Sequence, residues 1–197
     1  GEGTAGTGKG HTSFFGLGGS GTRFVYAFDR SESMNARIAH YSEGYIVSEV
    51  TPLAAAKKEL WESLRSLTDD LAFQIIFYNH FPSVFGSDET KPHMFKASDE
   101  NKARAQEFIE SIPGDGTTKH VLALEAALKL NPDVIFLLTD GEYKDDPSQR
   151  EVRKIASMCN RKGVVVNVIH LVPKPRPNTT LIELAERTGG QHRFIEP

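Results

Sequence analysis

Apolar residues along this chain gather into five short dense runs, and the stretches between them carry apolar residues at helical spacing. Residues 23–29, 72–78, 133–139, 164–171 and 192–196 read as strands, with a short edge strand expected near 83–86 or 93–95. The runs at 133–138 and 164–169 are nearly continuous in Val, Ile, Leu and Phe. That is the pattern of strands covered on both faces, so these two are expected at the centre of a sheet. Residues 52–68, 99–112, 119–130, 147–162 and 179–188 read as helices, and Leu60, Trp61, Leu64 and Leu67 fall at core spacing on the first of them. Strand and helix alternate. The fold class is therefore α/β, a three-layer arrangement with a mostly parallel central sheet and helices on both faces.

Boundary chemistry supports these elements. Pro52 suits a first helical turn, and Asp146-Pro147-Ser148-Gln149 offers an N-cap acid, a Pro at N1 and a Gln at N3. Gly163 follows Arg161-Lys162, and Gly189-Gly190 follow the last helix, each placed to stop it. Residues 35–51 are longer than an ordinary connection and hold Tyr41, Tyr45 and Ile46. They read as a loop, either a surface excursion packing its own aromatics or a functional loop. Nine of the 17 glycines lie within residues 1–21. Residues 1–22 thus read as a flexible leader, mostly unordered through residue 13, with Phe14-Phe15 its one apolar anchor. The domain proper is expected at 23–197. A start at Gly1, with neither Met nor a signal pattern, reads as a piece of a longer protein.

Chemistry concentrates at strand ends. Asp29, Ser31 and Ser33 stand at i, i+2 and i+4 directly after the first strand, a compact set of hard oxygens suited to Mg²⁺, Mn²⁺ or Ca²⁺. The same residue types also make plain turns. Gly114-Asp-Gly-Thr-Thr118 and the acid Asp140, which ends the buried strand that starts at Asp133, supply further oxygens. In a parallel sheet, loops after different strands meet outside the carboxyl edge, so the three segments are expected to converge.

Taken together, Asp-x-Ser-x-Ser, the Gly-Thr loop and Thr-Asp-Gly resemble the metal-ion-dependent adhesion site of von Willebrand factor A domains, in family order over about residues 23 to 197. The resemblance implies a three-layer Rossmann-like fold in which Ser31 and Ser33 bind a metal directly and Asp29 and Asp140 hold it largely through water. A Thr of the middle loop adds another oxygen. In the family that Thr stands a few residues before an Ala-Leu pair on the following helix, so the resemblance, through Ala123-Leu124, implies Thr118, with Thr117 as the alternative. The family usually has Gly where this chain has Glu32, so an extra carboxylate stands beside the site; Glu142 is a further possible contributor. The resemblance also implies a non-enzymatic, metal-dependent interaction module. Its partner would be a protein with an exposed Asp or Glu that completes the coordination of Mg²⁺, or of Mn²⁺ or Ca²⁺. By similarity to bacterial proteins with such domains, an envelope or surface location is expected.

Composition narrows the alternatives. A net charge of −3, with 26 acids against 23 Lys and Arg, gives no basic signature of nucleic-acid binding. No apolar stretch reaches membrane-spanning length, and the single Cys159 permits no internal disulfide. The seven His residues lack zinc spacing, and His120, opening the helix after the Thr loop, reads as a helix-start residue bonded to that loop or as a neighbour of the ion. Gly3-x4-Gly8-Lys9 imitates a phosphate-binding loop, but Gly10 stands where a hydroxyl is required and no strand precedes it. A Mg²⁺-dependent phosphohydrolase of haloacid dehalogenase type is the rival reading, with Asp29 as nucleophile. Ser31 then occupies the general-acid position and cannot donate a proton near neutral pH. A metal-independent interaction scaffold is the third. Pro173-Lys-Pro-Arg-Pro177 reads as a rigid spacer.

Overall fold

A computed structural model describes residues 10–43, 45–87, 91–141 and 143–197. The elements in chain order are β1 (Gly10–Phe14), β2 (Leu17–Gly21), β3 (Arg23–Asp29), β4 (Ile38–Ser42), β5 (Tyr45–Val50) and α1 (Pro52–Ser66). They continue with β6 (Ala72–Tyr78), β7 (Pro82–Val84), β8 (Phe95–Lys96), α2 (Asp99–Ser111), α3 (His120–Lys129) and β9 (Val134–Thr139). The chain ends with α4 (Gln149–Lys162), β10 (Val165–Leu171), α5 (Thr180–Arg187) and β11 (His192–Ile195). All five expected strands and all five expected helices are present. Both candidate edge segments form strands, each antiparallel to β6.

The main sheet runs β11-β10-β9-β3-β6-β7, and β11 through β6 are mutually parallel. Its interior strands owe their place to two-sided hydrophobicity. Phe24, Tyr26 and Phe28 of β3 join the core beneath α1 and α2, while Val25 and Ala27 join the core beneath α3, α4 and α5. From β3 the chain crosses one way to β6 and later returns to β9 on the other side. The boundary between β3 and β9 is thus the point where connections diverge, and a crevice opens beyond their carboxyl ends.

Two segments depart from the sequence expectation. Residues 10–21 of the expected leader form an antiparallel hairpin whose Phe14 is fully buried, in ring contact with Phe28 at 5.1 Å and Phe136 at 5.8 Å. The glycines that suggest a linker are there for close approach. A Cβ on Gly19 would stand 2.9 Å from the Phe136 ring and 3.1 Å from Val134. Residues 1–9, with most of the phosphate-loop imitation, lie outside the described residues. The stretch expected as a loop over 35–51 is instead a 3₁₀ turn at Glu32–Asn35 followed by the separate β4-β5 hairpin.

One helix start is also corrected. α4 begins at Gln149, capped by Ser148, whose hydroxyl accepts from the Glu151 amide while the Glu151 carboxylate accepts from the Ser148 amide. Asp146 is used elsewhere: it accepts from Thr179 Oγ1 at 3.1 Å and from the Thr180 amide at 3.0 Å, pinning the start of α5.

Candidate metal centre

Asp29 ends β3 with no solvent exposure. A buried carboxylate needs donors, and each one comes from a loop or strand end at the sheet's carboxyl edge. Oδ1 accepts from the Ser31 amide at 2.8 Å, and Oδ2 accepts from Thr139 Oγ1 at 2.6 Å. Thr118 Oγ1 reaches both oxygens, at 3.4 and 3.2 Å. Thr139 itself accepts from the Gly141 amide at 3.0 Å. Three segments far apart in sequence thereby meet on one carboxylate.

Above this floor lies a crevice of about 300 Å³ bordered by Ser31, Ser33, Thr117, Thr118, Lys144 and Asp145. The Ser31 and Ser33 hydroxyls stand 3.1 Å apart. The loops are laced together by backbone bonds. Glu32 N donates to Gly116 O at 3.0 Å, Asp115 N to Arg30 O at 2.8 Å, and Lys119 N to Asn79 O at 2.9 Å. Asn79 Nδ2 donates to the Asp115 carboxylate at 2.8 Å, and Arg30 forms an ion pair with the same group. The crevice is thus pre-formed by hydrogen bonds rather than assembled from loose side chains.

Burial pushes the Asp29 carboxyl up to about 6. The Thr139 hydroxyl and Ser31 amide oppose that shift, and the nearby charge of Asp140 adds to it. A layer below, Tyr78 Oη lies 2.9 Å from His120 Nδ1 and donates to Leu138 O at 3.3 Å. His120 is buried and bonded to a strand residue. It is therefore neither a loop anchor nor a neighbour presented to the crevice, and burial lowers its pKa to about 3. Gly141 has a φ of +53°, and a Cβ there would lie 2.4 Å from the His170 ring, so the turn after β9 is closed on imidazole. The Arg176 guanidinium donates to Gly141 O, which gives the proline-rich spacer a second use as a strap across that turn.

The profile of the von Willebrand factor type A domain matches residues 25–194. The chain belongs to that family. Its fold resembles von Willebrand factor type A from Catenulispora acidiphila, at 19% identity and TM-score 0.72, over 92% of this chain and 41% of that one. It also resembles the SpRpn10 VWA domain, at 11% identity and TM-score 0.61, over 89% of this chain and 88% of that one. A third likeness is to proximal thread matrix protein 1 from the mussel byssus, solved with a zinc-occupied MIDAS motif. There the identity is 19% and the TM-score 0.61, over 87% of this chain and 41% of that one. This chain spans less than half the length of the first and third, and at these identities the likeness is one of fold. The comparison with curated proteins returned no match.

Within this vWA domain the residues singled out from sequence separate by position. Asp29, Ser31, Ser33 and Thr118 are joined by hydrogen bonds at the crevice. Asp140 is half-buried and acts on Asp29 through its charge. Thr117 is exposed on the wall, whereas Thr118 is 4% exposed and turned to Asp29. Glu32 is exposed on the rim, and Glu142 lies outside the described residues. Among the described residues no group of three His, Cys, Asp or Glu side chains is poised to hold a metal, so hydroxyls are indispensable to any cation site here. Sequence reasoning missed Thr139 as a donor to Asp29. Its signal was a hydroxyl on the last residue of an all-apolar strand, where nothing in the core requires one.

Proposed function

We propose that this vWA domain binds a divalent cation, Mg²⁺ or else Mn²⁺ or Ca²⁺, and uses it to hold an Asp or Glu side chain of a partner protein. Ser31, Ser33 and Thr118 would supply hydroxyl ligands, and Asp29 and Asp140 would supply the charge. The observation that carries this reading is the convergence of those hydroxyls over one buried carboxylate. The donor set is oxygen only, which suits hard cations. The 3.1 Å between the two serine hydroxyls fits adjacent oxygens around Mg²⁺, which lie about 3 Å apart when each is about 2.1 Å from the ion. A cation would also relieve the repulsion between Asp29 and Asp140. Neutral ligands leave it under-neutralised and ready for an anionic oxygen. Such binding breaks no bond, and Ser31 offers no acid for a phosphohydrolase. Among the described residues no helix is long and apolar enough to cross a membrane, and the net charge of −3 gives no basic signature of nucleic-acid binding.

Thermal unfolding in EDTA and in millimolar Mg²⁺, Mn²⁺ or Ca²⁺ tests the proposal. A cation at a hundred times its Kd should add about 2.7 kcal/mol. The double variant Ser31→Ala, Ser33→Ala should keep its fold in EDTA and lose that gain. No shift with any of the three ions would leave a metal-independent scaffold as the better reading, and phosphate release from p-nitrophenyl phosphate that disappears in Asp29→Asn would favour the phosphohydrolase. Glu32 borders the crevice from an exposed position on its rim, so Glu32→Gly should change metal affinity by less than about ten-fold.

A further inference from the structure

A cavity of about 610 Å³ lies between α4 and α5, bordered by Arg153, Ala156, Ser157, Asn160, Arg161 and Arg187. Three arginines and no carboxylate line it. α4 turns Val152, Ile155, Ala156 and Cys159 to the core, and α5 does the same with Leu181, Leu184 and Ala185. The groove is therefore the outer seam of a packed helix pair, and the small side chains of Ala156 and Ser157 leave room between exposed guanidinium groups. Asn160 Nδ2 donates to Arg187 O at 3.1 Å and ties the two walls together. Next to Arg187, Thr188 Oγ1 accepts from Val166 N at 3.1 Å, near the start of β10. This end of the groove thus lies at the amino edge of the sheet, opposite the crevice.

Positive charge is concentrated here. Residues 149–162 hold Arg150, Arg153, Lys154, Arg161 and Lys162 against Glu151, a net of +4 in a chain whose total is −3, so the remainder carries −7. These charges face different neighbours. Lys154 pairs with Glu125 of α3 at 2.7 Å, Lys162 donates to Leu128 O at 3.1 Å, and Glu151 closes the capping box of α4. Arg153 and Arg161 border the groove instead, where Arg161 donates to Ser157 Oγ at 3.2 Å and Arg153 acts on Glu183 through its charge. Arg187 Nε donates to the same Glu183, while Glu186, the other acid of α5, acts on His192. One carboxylate thus answers three arginines. Among the described residues these bonds occupy one N–H of Arg161 and one of Arg187, out of five on each guanidinium.

We infer that this groove is a second, metal-independent interaction surface that binds an acidic segment of a partner protein, its Asp or Glu carboxylates held by Arg153, Arg161 and Arg187. Nothing in it depends on the crevice. A guanidinium matches a carboxylate with two parallel N–H···O bonds, a fork that a lysine ammonium lacks. Arg153 and Arg161 stand eight helical positions apart, about 12 Å at a rise of about 1.5 Å per residue. An extended chain covers that span in about four residues, and an even spacing puts both acids on one side of it. The occupant should therefore carry acids four positions apart. Nucleic acid fits less well, because the rest of the chain repels a long polyanion and no aromatic side chain borders the groove to stack a base.

Selection from a random peptide library displayed on phage, against the full chain in EDTA, tests the inference. Enriched peptides should carry two or more Asp or Glu, with a spacing of four preferred. The double variant Arg153→Gln, Arg161→Gln should weaken a selected peptide about ten-fold or more. Both positions are exposed and Gln is a good helix former, so this variant should melt as the parent does. Arg187→Gln repeats the test from the opposite wall if the double variant melts lower. Arg153→Lys with Arg161→Lys keeps the charge without the fork and should recover only part of the loss. No enrichment of acidic peptides, equal binding by the Gln variant, or full recovery by the Lys variant would overturn the inference. A labelled single-stranded oligonucleotide bound more tightly than any selected peptide, and released by the Gln variant, would replace the acidic segment with nucleic acid. A concentration-dependent dimer broken by the Gln variant, with no peptide enriched, would replace it with a second copy of this chain.

Discussion

Two hairpins flank the first half of this domain, and they make opposite use of the same element. The β1-β2 hairpin lies over the core, with Phe14 buried and its backbone tied to α1 and β10. Ser63 Oγ donates to Ser13 O at 3.0 Å, and Asn167 Nδ2 donates to Gly18 O at 3.2 Å. The β4-β5 hairpin is a separate two-stranded ribbon carrying Tyr45 at 77% and Ile46 at 54% exposure. Its side-chain support includes the exposed Arg37–Glu49 pair at 3.2 Å. A two-stranded ribbon is marginal alone in water, so each hairpin is only as stable as what it touches. The first should therefore behave as part of the folding unit, and the second as a dispensable extension from the candidate site.

The largest expected effect is at Phe14. Its ring fills space against Tyr26, Phe28 and Phe136, and Phe14→Ala should cost about 3–5 kcal/mol, measured as a lower denaturant midpoint. A loss below 1 kcal/mol would show that the hairpin is not integral to the core. Gly19→Ala comes next. Added bulk would press on Phe136 and Val134, and overpacking of this kind costs about 1–3 kcal/mol. An unchanged melting temperature would mean that the hairpin lifts without penalty. A smaller loss is expected for Ser63→Ala, which removes the partner of Tyr26 Oη at 2.8 Å and the donor to Ser13 O. The cost should be about 1–2 kcal/mol, since a buried hydroxyl loses one of its bonds.

The two hairpins also mark where sequence reading stopped. Strands 23–29 and 133–139 were legible because they are buried on both faces, and their runs of Val, Ile, Leu and Phe admit few other readings. The candidate site was legible because its oxygens sit at strand ends, where parallel topology brings distant loops together. By contrast, residues 17–21 hold Leu17 as the sole large apolar side chain, among Gly18, Gly19, Ser20 and Gly21. Such a strand packs through its missing side chains, and composition alone renders that as a linker. The β4-β5 ribbon was illegible for another reason. Its described side chains are half-buried or exposed, so they impose no alternation on the sequence. Thr118 was preferred to Thr117 only through the family resemblance, and its bond to Asp29 is seen in the fold, while the donor role of Thr139 depends on the lateral pairing of β3 with β9, which no local pattern encodes.

The smallest expected effect completes the contrast. Tyr45→Ser with Ile46→Ser removes two large side chains, yet both are open to solvent and should change stability by less than about 0.5 kcal/mol. The ribbon leaves the 3₁₀ turn that contains Ser33, so the same variant should be melted in EDTA and in Mg²⁺. The Ser33 turn is held from the other side, by the Glu32 amide on Gly116 O and by Asn35 Nδ2 on Gly114 O at 2.7 Å. Those bonds do not involve the ribbon. The cation-induced shift should therefore survive the double substitution. A stability loss above 1 kcal/mol would place Tyr45 or Ile46 against the domain in solution, and a lost shift at unchanged stability would make the ribbon part of the metal site's support.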